Sequence, residues 1–252
     1  VRKLLREENF DYRRLTAHEL LSGIASRYPL LILADTVALR AEEWDAFEQY
    51  VAKGGKIMAF AGAGIADGHG KVRLDSRRAA DLLGVQYQGA VASWRPEKIE
   101  RFDGKPVAGD VMARAPVDLQ GGDVLAVFSD GSPAVVTRRL GKGTTLYCNF
   151  SDRIDSSKGN RGLISEMIGF AGLTPAVAVS ANGENLGGFQ SFRYRRGPIE
   201  LIGLLHTLSS SVPAGTSLRV REAGRAHTYN VLSGADEGFG NEVSFIAPDR
   251  GR

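Results

Sequence analysis

The stretch YPLLILADTVALRAEEWDAFEQYVAKGGKIMAF, residues 28–60, decides the fold class. Leu30 to Ala34 is an unbroken apolar run of strand length, as expected of a strand covered on both faces. From Ala41 to Lys53 the period becomes helical, with Trp44, Phe47, Tyr50 and Val51 on one side. Glu42 and Glu43 fall in the first turn, where the positive end of the helix dipole favours acids, and Gly54-Gly55 supply the stop. Ile57 to Ala61 then repeats the buried-strand pattern.

Working outward, Ser76 is placed to cap a short helix through Leu82-Leu83, closed by Gly84. Val124 to Ser129, Pro133 to Arg139 and Thr144 to Phe150 read as strands, joined by turns at Asp130-Gly131 and Gly141-Lys142-Gly143. Asn160 is placed to cap a closing helix with Leu163, Ile164, Met167, Ile168 and Ala171 on its apolar face and Gly172 as its stop. The alternation describes an α/β layer domain of flavodoxin type over residues 1–175. No first strand is visible before Arg2, and the chain opens at Val1 in charged, helix-like sequence. The expectation is a piece of a longer protein, lacking the first strand of its sheet.

Past Thr174-Pro175 helical periodicity ends. Ala176–Ser180, Phe189–Arg195, Ile199–His206, Ser217–Glu222, His227–Leu232 and Glu242–Ala247 read as short strands punctuated by Gly, Ser and Asn. That spacing predicts a small antiparallel β-sandwich over residues 176–252.

Composition narrows the function classes. Of 252 residues, 31 are glycine, about 12% against a usual share of roughly 7%, which suits many tight turns. With 32 basic and 29 acidic side chains the net charge is +3, spread over both regions, so no nucleic-acid module is indicated. No apolar run reaches membrane-spanning length, and no signal peptide opens the chain. A soluble protein is expected, with the cytoplasm favoured. The single cysteine, Cys148, excludes an internal disulfide and any multi-cysteine metal site. Neither a metal nor a cofactor is expected.

Candidate ligand residues gather where strands end. The loop Gly62-Ala63-Gly64-Ile65-Ala66-Asp67-Gly68-His69-Gly70 follows a strand, the usual ligand edge of an α/β sheet. It lacks the Lys-Ser/Thr of a phosphate loop and no helix start follows it. Asp67 and His69 are candidates for an acid/base pair, or else are solvated loop residues. Asp35, after the first strand, is placed at the same edge. Trp94, read as a loop aromatic, is a candidate for stacking on a sugar, or else packs in the fold. Cys148, inside an apolar strand, reads as a buried structural thiol. The histidines lack metal-site spacing. In Phe192-Arg193-Tyr194-Arg195 strand alternation sends the aromatics one way and the arginines the other.

Residues 28–85 carry a more specific likeness: the apolar strand, the helix ending in Tyr50-Val51 and Gly54-Gly55, the strand into Gly64-Ile65, and the closing Asp81-Leu82-Leu83-Gly84-Val85. Together with DGSPAVVTRRLGKGTTLYCNF, residues 130–150, this pattern resembles the middle, trimerisation domain of family 42 β-galactosidases. The likeness covers roughly residues 1–172, and the wider glutamine-amidotransferase-like superfamily shares much of it. Active amidotransferases resemble one another in a Cys nucleophile on the turn after the second strand. Here that turn is Ala61-Gly62-Ala63-Gly64, and Cys148 comes too late in the chain. In the galactosidases the resemblance implies two catalytic carboxylates on a separate N-terminal barrel. A barrel needs about 250 residues by itself, so none fits beside these two regions. The resemblance therefore implies a chain with no catalytic residues of its own, a homo-oligomer built through the α/β region, and a catalytic barrel upstream in the parent protein. The alternative is a carbohydrate or small-molecule binding module using Asp35, Asp67, His69 and Trp94.

Overall fold

A computed structural model describes the chain except for residues 75–76, 90–92, 115–116, 156, 176, 187–188, 207–211, 214, 232 and 247–252. Two compact units form: Val1 with Arg13–Leu173, and Arg2–Tyr12 with Thr174–Arg252. The chain opens with α1 (Arg2–Glu7), α2 (Ala17–Leu21) and a 3-10 turn at Ile24–Arg27. There follow β1 (Leu30–Leu33), β2 (Ala38–Leu39), α3 (Ala41–Ala52), β3 (Lys56–Phe60), β4 (Ala66–Asp67), α4 (Arg78–Leu83) and β5 (Val85–Tyr87). The first unit is completed by β6 (Ser93–Phe102), β7 (Lys105–Arg114), β8 (Val117–Leu119), β9 (Asp123–Val127), β10 (Pro133–Leu140), β11 (Gly143–Cys148) and α5 (Lys158–Phe170).

The central sheet has the order β1-β3-β11-β10-β9. β1, β3 and β11 are parallel, with Leu30–Leu33 opposite Lys56–Ala59 and Thr144–Cys148 opposite Lys56–Phe60. β10 and β9 continue it antiparallel. The unit is thus mixed α/β. Its core joins Leu31, Leu33, Ile57 and Ala59 of the sheet to the apolar side of α3, where Trp44, Phe47, Tyr50 and Val51 are all buried as the period requires. Burying each such side chain contributes roughly 1.5–3 kcal/mol. Glu43 caps the start of α3, its Oε2 accepting from Arg40 N at 2.8 Å. At the far end of α3 the β10–β11 turn closes in: Lys142 N donates to Ala52 O at 3.1 Å. A Cβ on Gly143 would lie 2.2 Å from the carbonyl oxygens of both Val51 and Gly55. Gly143 therefore serves a backbone contact as well as a turn.

One hairpin is absent from the sequence reading, and one helix cap is corrected. The hairpin β6–β7 was not anticipated. Its Asp103-Gly104 turn has φ of +48° and +75°, the left-handed pair that a tight hairpin needs. α5 packs on this hairpin, and its first turn comes so close that a Cβ on Gly159 would lie 1.8 Å from Ala108 O. The cap of α5 is Ser157, whose Oγ accepts from Asn160 N at 3.4 Å. Asn160 sits inside the helix and ties it down, accepting from Asp110 N and donating to Asp155 Oδ1, both at 2.8 Å. Ser76, expected to cap α4, lies outside the described residues.

In the second unit β12 (Val177–Ala181), β13 (Glu184–Asn185), β16 (Ser217–Tyr229) and β17 (Asp236–Ile246) form one antiparallel sheet, and β14 (Phe189–Arg196) pairs with β15 (Ile199–His206) in another. Both sheets feed one apolar cluster, including Val177, Val179, Leu218 and Val220 from the first sheet and Phe189, Ile202 and Leu204 from the second. The strands expected at Ser217–Glu222 and His227–Leu232 are one strand, β16, whose pairing with β17 shifts register between Arg221 and Ala226. α1, counted with the first region from sequence, packs on β14 in this unit. There Ser191 N donates to Asn9 Oδ1 at 2.8 Å.

Candidate functional site: the strand-end loops

The carboxyl ends of the three parallel strands define one edge of the first unit. Leaving β1, the chain passes through Asp35, which is exposed and has left-handed backbone with φ of +53°. Leaving β3, it enters the glycine-rich loop, and the loop is buried as far as Ala66. Gly64 N donates to Thr36 O at 2.8 Å and Ala66 N to Val37 O at 3.0 Å, so β2 and β4 lie parallel beyond the sheet. Gly64 has φ of +66°, and a Cβ there would lie 2.1 Å from Cζ2 of Trp44. Gly64 and Gly68 thus let backbone press against the Trp44 and Arg40 side chains, where a phosphate loop would hold its amides open.

The Asp67 carboxylate is engaged by backbone amides of its own loop. Asp67 Oδ1 accepts from the backbone amides of His69 at 3.0 Å and Lys71 at 3.1 Å, and Oδ2 faces Arg73 Nε at 3.5 Å. The Lys71 amide foremost, then that of His69, holds the Asp67 carboxyl below its ordinary range. A general acid needs the opposite shift. Asp67 thus fastens its own turn while the His69 side chain stays exposed. Trp94 lies on β6 rather than in a loop, and its side chain is outside the described part.

The third strand end escaped the sequence reading. After β11, Asn149 and Ser151 are both buried. Asn149 Nδ2 donates to Pro133 O at 3.0 Å, and Ala61 N donates to Phe150 O at 3.1 Å. The polar residues after an apolar strand were the available signal. Asp155 beyond them accepts from Ser157 N at 2.9 Å as well as from Asn160, and that amide above all lowers its carboxyl pKa.

Beneath the edge two tyrosines hold the loop from inside. Tyr87 Oη donates to Ala63 O at 2.8 Å, and its ring meets that of Tyr147 edge-on at 6.0 Å. Tyr87→Phe leaves the buried Ala63 carbonyl without this donor and is expected to cost about 1–2 kcal/mol. The urea midpoint reads this loss, and an unchanged midpoint would contradict the assignment. Cys148 is fully buried on β11, and burial pushes its thiol pKa well up, which suits a structural residue. No group of three His, Cys, Asp or Glu able to hold a metal occurs among the described residues. Among the same residues, no helix is long and apolar enough to cross a membrane. At the amino ends of β1 and β3, a groove of about 570 Å³ lies between α2 and α3, lined by Leu20, Tyr28, Gln49, Tyr50 and Lys53.

The family model of the β-galactosidase trimerisation domain matches residues 23–173. The chain belongs to this family. The matched residues fall within the first compact unit, so the family pattern and the folded unit coincide. Solved structures extend the likeness of fold to nearly the whole chain. Gan42B, a GH42 β-galactosidase from G. stearothermophilus, aligns with TM-score 0.72 and 16% identity over 98% of this chain and 34% of its own. The β-galactosidase of Bacillus circulans sp. alkalophilus aligns with TM-score 0.67 and 16% identity, covering 97% and 35%. That of the haloarchaeon Halorubrum lacusprofundi aligns at 0.61 and 18%, covering 98% and 35%. This member of the trimerisation-domain family therefore spans about a third of the length of those galactosidases. No curated protein matches it.

Proposed function

We propose that this chain is a noncatalytic part of a β-galactosidase-like glycoside hydrolase, which assembles as a homo-oligomer through its α/β unit. The family match over residues 23–173, on a unit that folds around its own core, carries this reading. The loops at the ligand edge support it, since Asp67 is committed to its turn and Cys148 is sealed in the core. In the parent protein a catalytic barrel supplies the two carboxylates, and the assembled α/β units help shape the substrate cleft. We take the α/β unit as a flavodoxin-like layer of the glutamine-amidotransferase kind without the nucleophile. The second unit serves as a separate small β domain, divided from the first near residue 175.

Sedimentation of the chain over a range of concentrations tests the assembly. The expected outcome is a mass that is a multiple of the 27.1 kDa chain. A monomer throughout would overturn assembly, and turnover of a chromogenic β-galactoside by this chain alone would overturn the noncatalytic assignment.

A further inference from the structure

The two edges of the central sheet are built differently. β9 closes one edge, and it is blunted in the ways that natural sheets blunt an edge. It opens on the charged Asp123, and its pairing with β10 shifts register twice between Pro133 and Val136. Its Leu125 carbonyl accepts from Asp103 N at 2.8 Å. β1 closes the other edge with none of these devices. Leu30-Leu31-Ile32-Leu33 carries no charge and pairs with β3 in unbroken register. Alternate residues of an edge strand turn their amide and carbonyl away from the sheet. Among the described residues, those outward groups of Leu30–Leu33 meet no hydrogen-bond partner.

The cover of the sheet also stops short at β1. Ile32 stands opposite Met58 in the register, so the two side chains share a face. Met58 is fully buried, whereas Ile32 is only half-buried. On the other face Leu31 and Leu33 join the core beside α3. A strand laid against β1 would therefore continue an apolar layer on each face, as parallel sheets require.

The direction and the source of that strand also have support. β1, β3 and β11 already run parallel, and a further parallel strand needs a crossover of a dozen or more residues with a helix in it. Residues 1–29, which contain α1 and α2, are long enough to be that crossover. They begin at the fitting end of the sheet. Val1 N donates to Asp152 O at 2.7 Å, just past the carboxyl end of β11, and a crossover leaves a parallel strand at that end. Two copies meeting edge to edge across a two-fold axis would instead pair their β1 strands antiparallel.

We propose that the outer edge of β1 receives a parallel, apolar β-strand from the polypeptide that precedes Val1 in the parent protein. Residues 1–29 then form the crossover of a β-α-β unit, and the sheet gains a sixth strand beyond β1. This pairing requires only that the chain be part of a longer protein. It therefore stands or falls apart from the noncatalytic and assembly readings.

Amide hydrogen exchange, compared between this chain alone and the full parent protein, tests the pairing. In the parent the outward amides of Leu30–Leu33 are expected to exchange about a hundredfold or more slowly, while Asp123–Val127 keep their rate. A run of about four to six residues upstream of Val1 should become protected with them. A proline placed in that run should restore fast exchange at Leu30–Leu33 and leave α3 protected, which shows that the variant still folds. Equal exchange at Leu30–Leu33 in the short chain and the parent overturns the pairing. So does a slowing that survives the proline, which would assign the strand to another segment. Protection in the short chain that rises with its concentration would make β1 an edge shared between copies, and overturns it as well. Sedimentation and galactoside turnover report on the other readings separately.

Discussion

Gly143→Ala is expected to destabilise the first unit by about 3 kcal/mol or more, a large share of a small domain's stability. The added methyl would sit 2.2 Å from two carbonyl oxygens, of Val51 and Gly55, and neither can move without shifting the end of α3 or the start of β3. Flexible side chains yield to such a methyl, but these are backbone atoms inside the packed junction of helix and sheet. Gly131→Ala is the control. Its φ of +80° is itself costly to a side chain, unlike that of Gly143, but no atom lies within 4 Å of the new Cβ, so about 1 kcal/mol is expected. Urea titrations of both variants decide the matter. Gly143 has no left-handed backbone to lose, so equal losses would mean that its contact with Val51 and Gly55 adds little.

Stability is expected to fall steeply in alkali. Burial raises the pKa values of Tyr87, Tyr147 and Cys148 above their ordinary values, and for Tyr147 the neighbouring Tyr87 adds to the effect. The native state therefore keeps protons that the unfolded chain releases above about pH 8.5 for the thiol and about pH 10 for the phenols. Stability contributed by the neutral groups is complete below those values and drains away as pH rises. Each group adds a slope of about 1.4 kcal/mol per pH unit. The urea midpoint should stay level near neutrality and drop progressively beyond about pH 9. In Tyr147→Phe the drop should be shallower, even though the variant starts lower. An alkaline limb of unchanged slope would show that these groups are not the ones titrating. Asp67 and Asp155, with lowered pKa values, act with the opposite sign and lose their small contribution as pH falls through the carboxylate range.

Much of this was legible because it depended on period and punctuation. The face Trp44-Phe47-Tyr50-Val51 and the strand residues Ile57–Phe60 bury what their spacing says they bury. In Leu30–Ala34 only Leu31 and Leu33 are buried, because β1 is the edge strand of its sheet and is not covered on both faces. At Phe192–Arg195, Phe192 and Tyr194 are exposed and Arg193 pairs with Glu200 across the hairpin, while the side chain of Arg195 lies outside the described part. The hairpin β6–β7 was missed although its Asp-Gly turn is a standard signal, because Arg95, Glu97, Lys98, Glu100 and Arg101 hide the apolar alternation of Ile99 and Val111. The cap of α5 was placed three residues late, because Asn160 has the chemistry of a cap but spends it on Asp110 and Asp155. At the ligand edge, residue type was readable and commitment was not. Nothing in the letters Asp-Gly-His says that Asp67 bonds two backbone amides rather than an imidazole.

The placement of Arg2–Tyr12 with the second unit carries a consequence for synthesis. The segment is made before the first unit, and the strand it packs against only after it, with Ser191 lying 182 residues beyond Asn9. At about 5–20 residues per second the segment waits roughly 10–40 s for its partner. Meanwhile the first unit emerges in full and can fold as an insert within the other. The apolar side of the opening helix, Leu4 and Leu5, stays unburied throughout that interval.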